Sequence, residues 1–368
     1  MDKEKNKNVI KVLHIVGSMY PGGMENFVMN VYENIDRDLF HFDFAENVVK
    51  ENGYDERIKE LGGKVFVLPR LTKHPIKNLR MLGELVKREQ YDIVVRHTSN
   101  ALIAPQLWAA KKAGAITVCH SHSTTDPMKL IHYIGKFFLR FWADKCIACS
   151  LDAGKWMYGS RKFTVLKNGI DISKFSFDEK KKSDIYEEFN LYGKHVYGHI
   201  GNYLEVKNHT FLLDVFDELL KIDENAVLFC LGEGNLRPDI EKKISALGLE
   251  SKVYLTGMRK DADKFMSAFD VLIFPSIFEG LPLTLIEAQI SGLKILMSDT
   301  ITDDVIVTDG LVHKESLNNS ALMWAKAAYE YKQHNNNREC QIDNIRKCGY
   351  DLKQLVCDYE NFLSSILK

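Results

Sequence analysis

Two carboxylates eight positions apart, Glu279 and Glu287, bracket the segment of this chain best suited to chemistry, Phe274-Pro-Ser-Ile-Phe-Glu-Gly-Leu-Pro-Leu-Thr-Leu-Ile-Glu287. A strand ends near Phe274, a loop carries Glu279, Gly280 and Leu281, and Pro282 suits a first helical turn, where its missing N–H costs nothing. Backbone N–H groups at a helix start can receive phosphate oxygens, helped by the helix dipole. Gly280 lets a ligand approach the backbone closely. Glu287 falls roughly 8 Å along the helix axis at ~1.5 Å per residue. Carboxylates so placed can accept hydrogen bonds from sugar hydroxyls, one on a hexose and one on a ribose. An ordinary helix with one acidic loop residue and one exposed Glu fits the segment equally well.

Other residues offer complementary chemistry. In Gly201-Asn202-Tyr-Leu-Glu-Val-Lys207, just after a strand, Lys207 can bring a point charge to a departing diphosphate, although a solvated surface lysine is the ordinary alternative. His120 and His122 end a strand two positions apart, so they face one side if the strand continues through them. No acidic or Cys cluster accompanies them locally, so no metal is expected there. Gly22 and Gly23 precede a helix without completing G-x-G-x-x-G, a weak phosphate-loop signal. Asp261-Ala-Asp263 imitates the D-x-D of metal-dependent sugar transferases but opens a helix, where aspartates cap and complement the dipole. Cys146 and Cys149 form one C-x-x-C in an apolar strand; lacking a second pair, they read as structural.

The elements that must position these residues follow a repeating pattern. Strands are expected at 9–16, 40–44, 64–68, 93–96, 116–120 and 145–150, with helices at 24–34, 76–89 and 101–113. A second set begins at 195–201 and continues through 226–231, 252–256, 271–274 and 294–298, with helices at 209–220, 238–247, 261–268 and 282–292. Strand alternating with helix implies parallel sheets covered on both faces. The charged, aperiodic stretch Ser176–Ser183 (SFDEKKKS) reads as the linker. A chain of 368 residues is long enough for two such domains. Two doubly wound sheets predict a cleft between them, with ligands at the carboxyl ends of the strands.

Composition limits the partners. A net charge of −1 gives no basic footprint for nucleic acid. Seven irregularly spaced cysteines argue against a disulfide framework and fit a reducing cytosol. The polar start, Met1–Asn8, is no secretory signal, and no run of 18 apolar residues occurs. Residues 128–142 (MKLIHYIGKFFLRFW) combine apolar and aromatic side chains with Lys129, Lys136 and Arg140. They suit either an interfacial helix on anionic lipid or an ordinary buried helix.

Glu279-Gly280-Leu281-Pro282 with Glu287 resembles the E-x7-E element of family-4 retaining glycosyltransferases, which have the GT-B fold. The likeness covers nearly the whole chain: Pro21-Gly22-Gly23-Met-Glu25, His120-Ser-His122, Asn168-Gly-Ile-Asp171, Gly201…Lys207-Asn208, Leu231-Gly-Glu-Gly234 and Ser298-Asp299. It is nearest to bacterial capsule and exopolysaccharide transferases. The resemblance implies a GT-B fold: an acceptor domain over 1–172, a donor domain over 173–345, and a helix over 346–368 returning to the first. It also implies retaining transfer of a hexose or N-acetylhexosamine from a nucleotide sugar, a UDP-sugar foremost, to a saccharide or lipid-linked acceptor. No metal or other cofactor is implied, and the setting is cytoplasmic, with peripheral membrane contact through 128–142.

By the same resemblance Glu279 contacts the hexose, Glu287 the ribose and Lys207 the diphosphate. His122, with His120 as the secondary candidate, lies beside the reacting sugar. Gly22, Gly23, Gly280 and Leu281 approach the donor, with the Gly22-Gly23 loop covering its phosphates. Many relatives carry an arginine where this chain has Asn202, which can donate hydrogen bonds but lacks the charge; Arg259, in a loop near the nucleotide base, is the candidate to compensate. A non-catalytic partner subunit, motivated by Asn202, and a UDP-sugar epimerase remain as alternatives. A nicotinamide dehydrogenase is disfavoured because neither half shows the glycine fingerprint with its later acidic residue.

Overall fold

The computed structural model describes residues 9–20, 22–51, 53–126, 128–333, 338 and 341–367. The expectations for Met1–Asn8 and Pro21 therefore lie outside the described residues. The chain forms two compact units, residues 1–169 with 352–368 and residues 170–351.

Short runs of β-branched and aromatic residues build each sheet. In the first unit these are β1 (Ile10–Ile15), β2 (Phe40–Glu46), β3 (Val65–Val67), β4 (Ile93–Thr98), β5 (Ile116–Ser121), β6 (Lys145–Ala148) and β7 (Thr164–Val165). The second unit holds β8 (His195–Ile200), β9 (Ala226–Leu231), β10 (Val253–Gly257), β11 (Val271–Phe274), β12 (Lys294–Ser298) and β13 (Val312–Glu315). Every residue of β4, β9, β11 and β12 is buried, as strands covered on both faces require.

The seven-stranded sheet runs β3-β2-β1-β4-β5-β6-β7 and the six-stranded one β10-β9-β8-β11-β12-β13. All recorded pairings are parallel. Strand order reverses at β1/β4 and at β8/β11, and in open parallel sheets those reversals open a crevice at the strands' carboxyl ends. Gly22 and Gly23 follow β1 and His97 is the penultimate residue of β4, while Lys207 follows β8 and Glu279 follows β11. Topology alone therefore brings the chemically promising residues to the two crevices.

The helix Leu352–Ser365 belongs to the first unit, where Leu355, Val356, Tyr359 and Leu363 share a buried cluster with Phe27 and Val31 of the helix Gly23–Asn34. The stretch Ser176–Ser183 corrects the linker expectation. Most of it is the start of the helix Glu179–Phe189, capped by Asp178, whose carboxylate accepts from the Lys180 and Lys181 N–H groups. Ile185 is fully buried, and the charges are matched from far along the chain: Lys181 to Asp263 at 2.9 Å and Asp184 to Lys264 at 2.8 Å. The crossing between units falls instead at Gly169–Ile170.

Candidate active site

In the second unit, the loops after β8 and β11 are tied together before any side chain is considered. Ile277 N–H donates to the Val206 carbonyl at 2.8 Å, and Asn208 Nδ2 donates to the Pro275 carbonyl at 3.2 Å. Asn208 occupies the left-handed region at φ 58°, a conformation that asparagine tolerates better than most residues. Ser298 and Thr300 hydroxyls both donate to the Ser276 carbonyl, fixing the far side of the β11 loop. The loop after β9 packs just as tightly: a Cβ on Gly232 would sit 2.1 Å from the Gly201 carbonyl oxygen, so only glycine allows this approach.

This framework holds Lys207 Nζ 2.6 Å from Glu279 Oε1, with both side chains mostly buried, at 17% and 13% exposure. The ammonium also stands 5.0 Å from the centroid of the Phe274 ring. Pro282 is the N-cap of the helix Leu283–Ile290, not its first helical residue, so the opening turn starts one position later than expected. Its first N–H groups lack intrahelical acceptors by construction. Gly280 is exposed, and a Cβ there would meet nothing within 4 Å; Leu281 packs at the edge of a buried cluster. Glu287 sits one turn into the helix, and burial raises its carboxyl to about 7 against the weaker pull of Lys174.

Asn202 is exposed. Arg259 is engaged elsewhere: its guanidinium meets Asp261 at 2.8 and 2.9 Å and Glu188 at 3.0 and 3.2 Å, and hydrogen bonds to these carboxylates raise its pKa further. These pairs also correct the capping reading of Asp261-Ala-Asp263. Asp261 is the N-cap by position but its side chain makes no capping bond, and Asp263 pairs with Lys181.

The first unit's crevice is built from rings. His97 and His120 are direct neighbours across β4 and β5, and His122 follows, its N–H bonded to the Thr98 carbonyl at 2.9 Å. His14 Nδ1 lies 2.9 Å from His97 Nε2, and His97 Nδ1 lies 3.0 Å from His122 Nε2. Burial lowers the pKa of His14 and His122 to about 3 and takes His97 and His120 well below the ordinary value, so all four rings are neutral. His120 is fully enclosed, edge-on to Phe27 with ring centroids 4.7 Å apart, whereas His122 is only half-buried. Of the two candidates, His122 is the one with access to a ligand.

Sequence reasoning missed His14, His97 and Arg96. Arg96, buried, donates to Gln106 and to the Ile15 and His97 carbonyls, locking β1 to β4 at the reversal. Their signal was faint: polar residues inside otherwise apolar strands. His97 also supplies the third ring that the metal argument lacked, since ligand atoms of His97, His120 and His122 all lie within 4.8 Å of one another. The 3.0 Å His97–His122 contact is nevertheless that of a hydrogen bond. Two imidazoles on one tetrahedral zinc, at ~2.05 Å bonds, stand about 3.4 Å apart.

Gly22 is the extended N-cap of the helix Gly23–Asn34, and a Cβ on Gly23 would meet nothing within 4 Å. Cys146 and Cys149 are free, and burial raises both thiols, Cys146 to about 11, which removes thiolate chemistry. The helix Lys129–Trp142 docks through Gly135 against Ala101 and through His132, stacked on Trp156 at 4.1 Å. Leu130, Tyr133, Ile134, Phe137 and Phe141 are more than half exposed, so it is not a buried helix. Among the described residues no helix is long and apolar enough to cross a membrane.

Two parallel, doubly wound α/β units in one chain, each with polar residues at its strand-order reversal, match the GT-B fold. The family models agree in both halves: residues 21–174 match Glycosyltransferase Family 4, and residues 194–329 match Glycosyl transferases group 1. EpsF of Bacillus subtilis (strain 168), whose name places it among glycosyltransferases, is 32% identical over 95% of both chains. CapH of Staphylococcus aureus, a capsular polysaccharide biosynthesis glycosyltransferase, is 24% identical over 94% of this chain and 98% of its own. Among solved structures, HepE of Anabaena in complex with UDP and glucose superposes with a TM-score of 0.79 at 17% identity, covering 97% of this chain and 100% of that one. The chain belongs to glycosyltransferase family 4 and is a transferase enzyme.

Proposed function

We propose that this enzyme transfers a hexose or N-acetylhexosamine, with retention, from a UDP-sugar to a saccharide or lipid-linked acceptor in surface-polysaccharide synthesis. The observation that carries the reading is the Lys207–Glu279 pair, held at 2.6 Å where strand order reverses in the second sheet, beside an open helix start. A cation and a helix N-terminus together suit a departing diphosphate. In this reading residues 173–345 bind the donor and residues 1–172 the acceptor. Lys207 and Asn202 meet the phosphates, Glu279 accepts from hexose hydroxyls, Glu287 from the ribose, and Gly280 and Leu281 present backbone to the sugar. His122 contacts the reacting sugar, and Gly22 and Gly23 line its approach. The names of CapH and of the HepE complex support the polysaccharide setting and the uridine nucleotide. Protein cations and helix N–H groups, with no metal, would balance the phosphate charge.

A thermal-shift panel of nucleotide sugars, run with divalent metal and again with EDTA, tests this directly. One UDP-sugar should raise the melting temperature in both conditions, because a ligand that binds only the native state stabilises it. Stabilisation that vanishes with EDTA would overturn metal independence, and a response to no UDP-sugar would overturn the donor assignment.

The exposed apolar face of Lys129–Trp142 supports a peripheral role at an anionic membrane. Eight Lys and Arg residues against two Asp lie between positions 128 and 167 of a chain whose net charge is −1. Vesicles containing phosphatidylglycerol should co-float the protein, and Phe137→Glu should release it. Equal flotation with purely zwitterionic vesicles would remove the electrostatic part of this reading.

A further inference from the structure

The two ring contacts in the first unit constrain something that atomic positions do not record directly, the location of the protons. Neutral imidazole carries one N–H and one bare nitrogen. Two neutral rings in N···N contact at 2.9–3.0 Å share one proton between the facing nitrogens. A chain of three rings then has only two consistent arrangements. In the outward one, His14 Nδ1–H donates to His97 Nε2, His97 Nδ1–H donates to His122 Nε2, and His122 keeps its proton on Nδ1. In the inward one every proton moves to the opposite nitrogen: His122 Nε2–H donates to His97, His97 Nε2–H donates to His14, and His14 holds its proton on Nε2.

The inner end of the chain decides between them. His14 Nε2 is buried without a hydrogen-bond partner, and the ring lies against Phe42 and Phe44 at centroid distances of 4.3 and 5.6 Å. The inward arrangement strands a donor N–H in that aromatic pocket; the outward one leaves only a lone pair there. Orphaned buried donors are the rarer and costlier of the two. The outer end, His122 Nδ1, belongs to the one ring of the three that is not fully enclosed.

We infer that His14 and His97 are positioning residues that fix the tautomer of His122, so that it presents an Nδ1–H donor to an oxygen of the substrate and has no bare nitrogen available to act as a base. This rests on the proposed contact of His122 with the sugar. That contact and the tautomer can fail separately. A fixed donor matches a hydroxyl or ring oxygen as acceptor, whereas proton abstraction by His122 would require the opposite tautomer. His120 takes no part, because neither of its ring nitrogens has a hydrogen-bond partner.

The test uses full-length protein labelled with ¹⁵N-histidine, in which long-range ¹H–¹⁵N spectra identify the protonated ring nitrogen. The expected pattern is Nδ1–H with a bare Nε2 at His122, unchanged by EDTA. An Nε2–H signal at His122, or a pattern altered by EDTA, would overturn the inference, the second because a metal rather than a proton would then join the rings. His97→Phe keeps the ring shape but cannot donate, and it should lower kcat/KM for transfer about tenfold with a mixed tautomer at His122. His97→Asn places an amide nitrogen where Nδ1 stood and should recover most of that rate. Equal loss in both variants would mean that His97 serves packing alone. If His122→Ala leaves transfer intact while the tautomer is as stated, the sugar contact is wrong and the proton arrangement stands.

Discussion

The two strand-order reversals solve opposite electrostatic problems with the same backbone plan. At β8/β11 the second unit places a charged pair, Lys207 and Glu279, on loops clamped by backbone hydrogen bonds. At β1/β4 the first unit places rings that burial keeps neutral, joined edge to edge. A cation near a departing diphosphate lowers the barrier most when it is held in place before the reaction, because no reorganisation is then required. A neutral donor can orient a sugar oxygen without attracting a competing anion. The comparison teaches that the fold supplies two crevices and that local burial decides which of them carries charge.

Breaking the charged side should have the largest effect. Lys207→Ala and Glu279→Ala are each expected to lower kcat by about 10²–10³-fold, by analogy with loss of one transition-state donor. Each variant leaves the other, mostly buried charge unpaired, so melting temperatures should fall as well, and kcat is compared at a temperature where both variants are folded. If His122→Ala costs more than either in steady-state transfer assays, the division of labour between the crevices is wrong.

A smaller effect, on pH dependence, sharpens the comparison. The folded-state carboxyl of Glu287 stands at about 7, above its ordinary value of 4.5. Between these values the native state holds a proton that the unfolded chain has released. The contribution of Glu287 to stability is therefore full below about pH 4.5 and is lost as pH rises through 7, on the order of 3 kcal/mol in all. Glu287→Gln should be more stable than the parent at pH 8 and nearly equal at pH 5, as urea unfolding at the two pH values would show. A ribose that donates to the carboxylate should drive the proton off. Calorimetry of UDP binding at pH 6.5, in buffers of different ionisation enthalpy, should then register proton release that Glu287→Gln abolishes. Proton uptake in the parent would sink the ribose assignment.

Several expectations failed, each for an identifiable physical reason. Ser176–Ser183 read as a linker because it is charged and aperiodic, yet Lys181 within it pairs with Asp263, some 80 positions away. Asp261 read as a cap, but Arg259 and Lys264 draw its carboxyl below the usual range, Arg259 most strongly. The short edge strands β7 and β13 escaped notice because the periodicity of so few residues carries little weight.

Local signals were sufficient wherever the chemistry was local. Apolar runs located β9, β11 and β12 to the residue, since a strand buried on both faces must be apolar throughout. The spacing of Glu279 and Glu287 across a loop and a helix start was readable for the same reason: the seven residues between them set that geometry. The histidine chain was not readable. His14 and His97 lie on β1 and β4 and His122 just follows β5, strands that are neighbours only because the sheet runs β1-β4-β5, and their neutrality depends on walls contributed by Phe27, Phe42 and Phe44. Strand order and burial are properties of the packed chain, so only the tertiary structure decided which polar residues would share a crevice and which of them would carry charge.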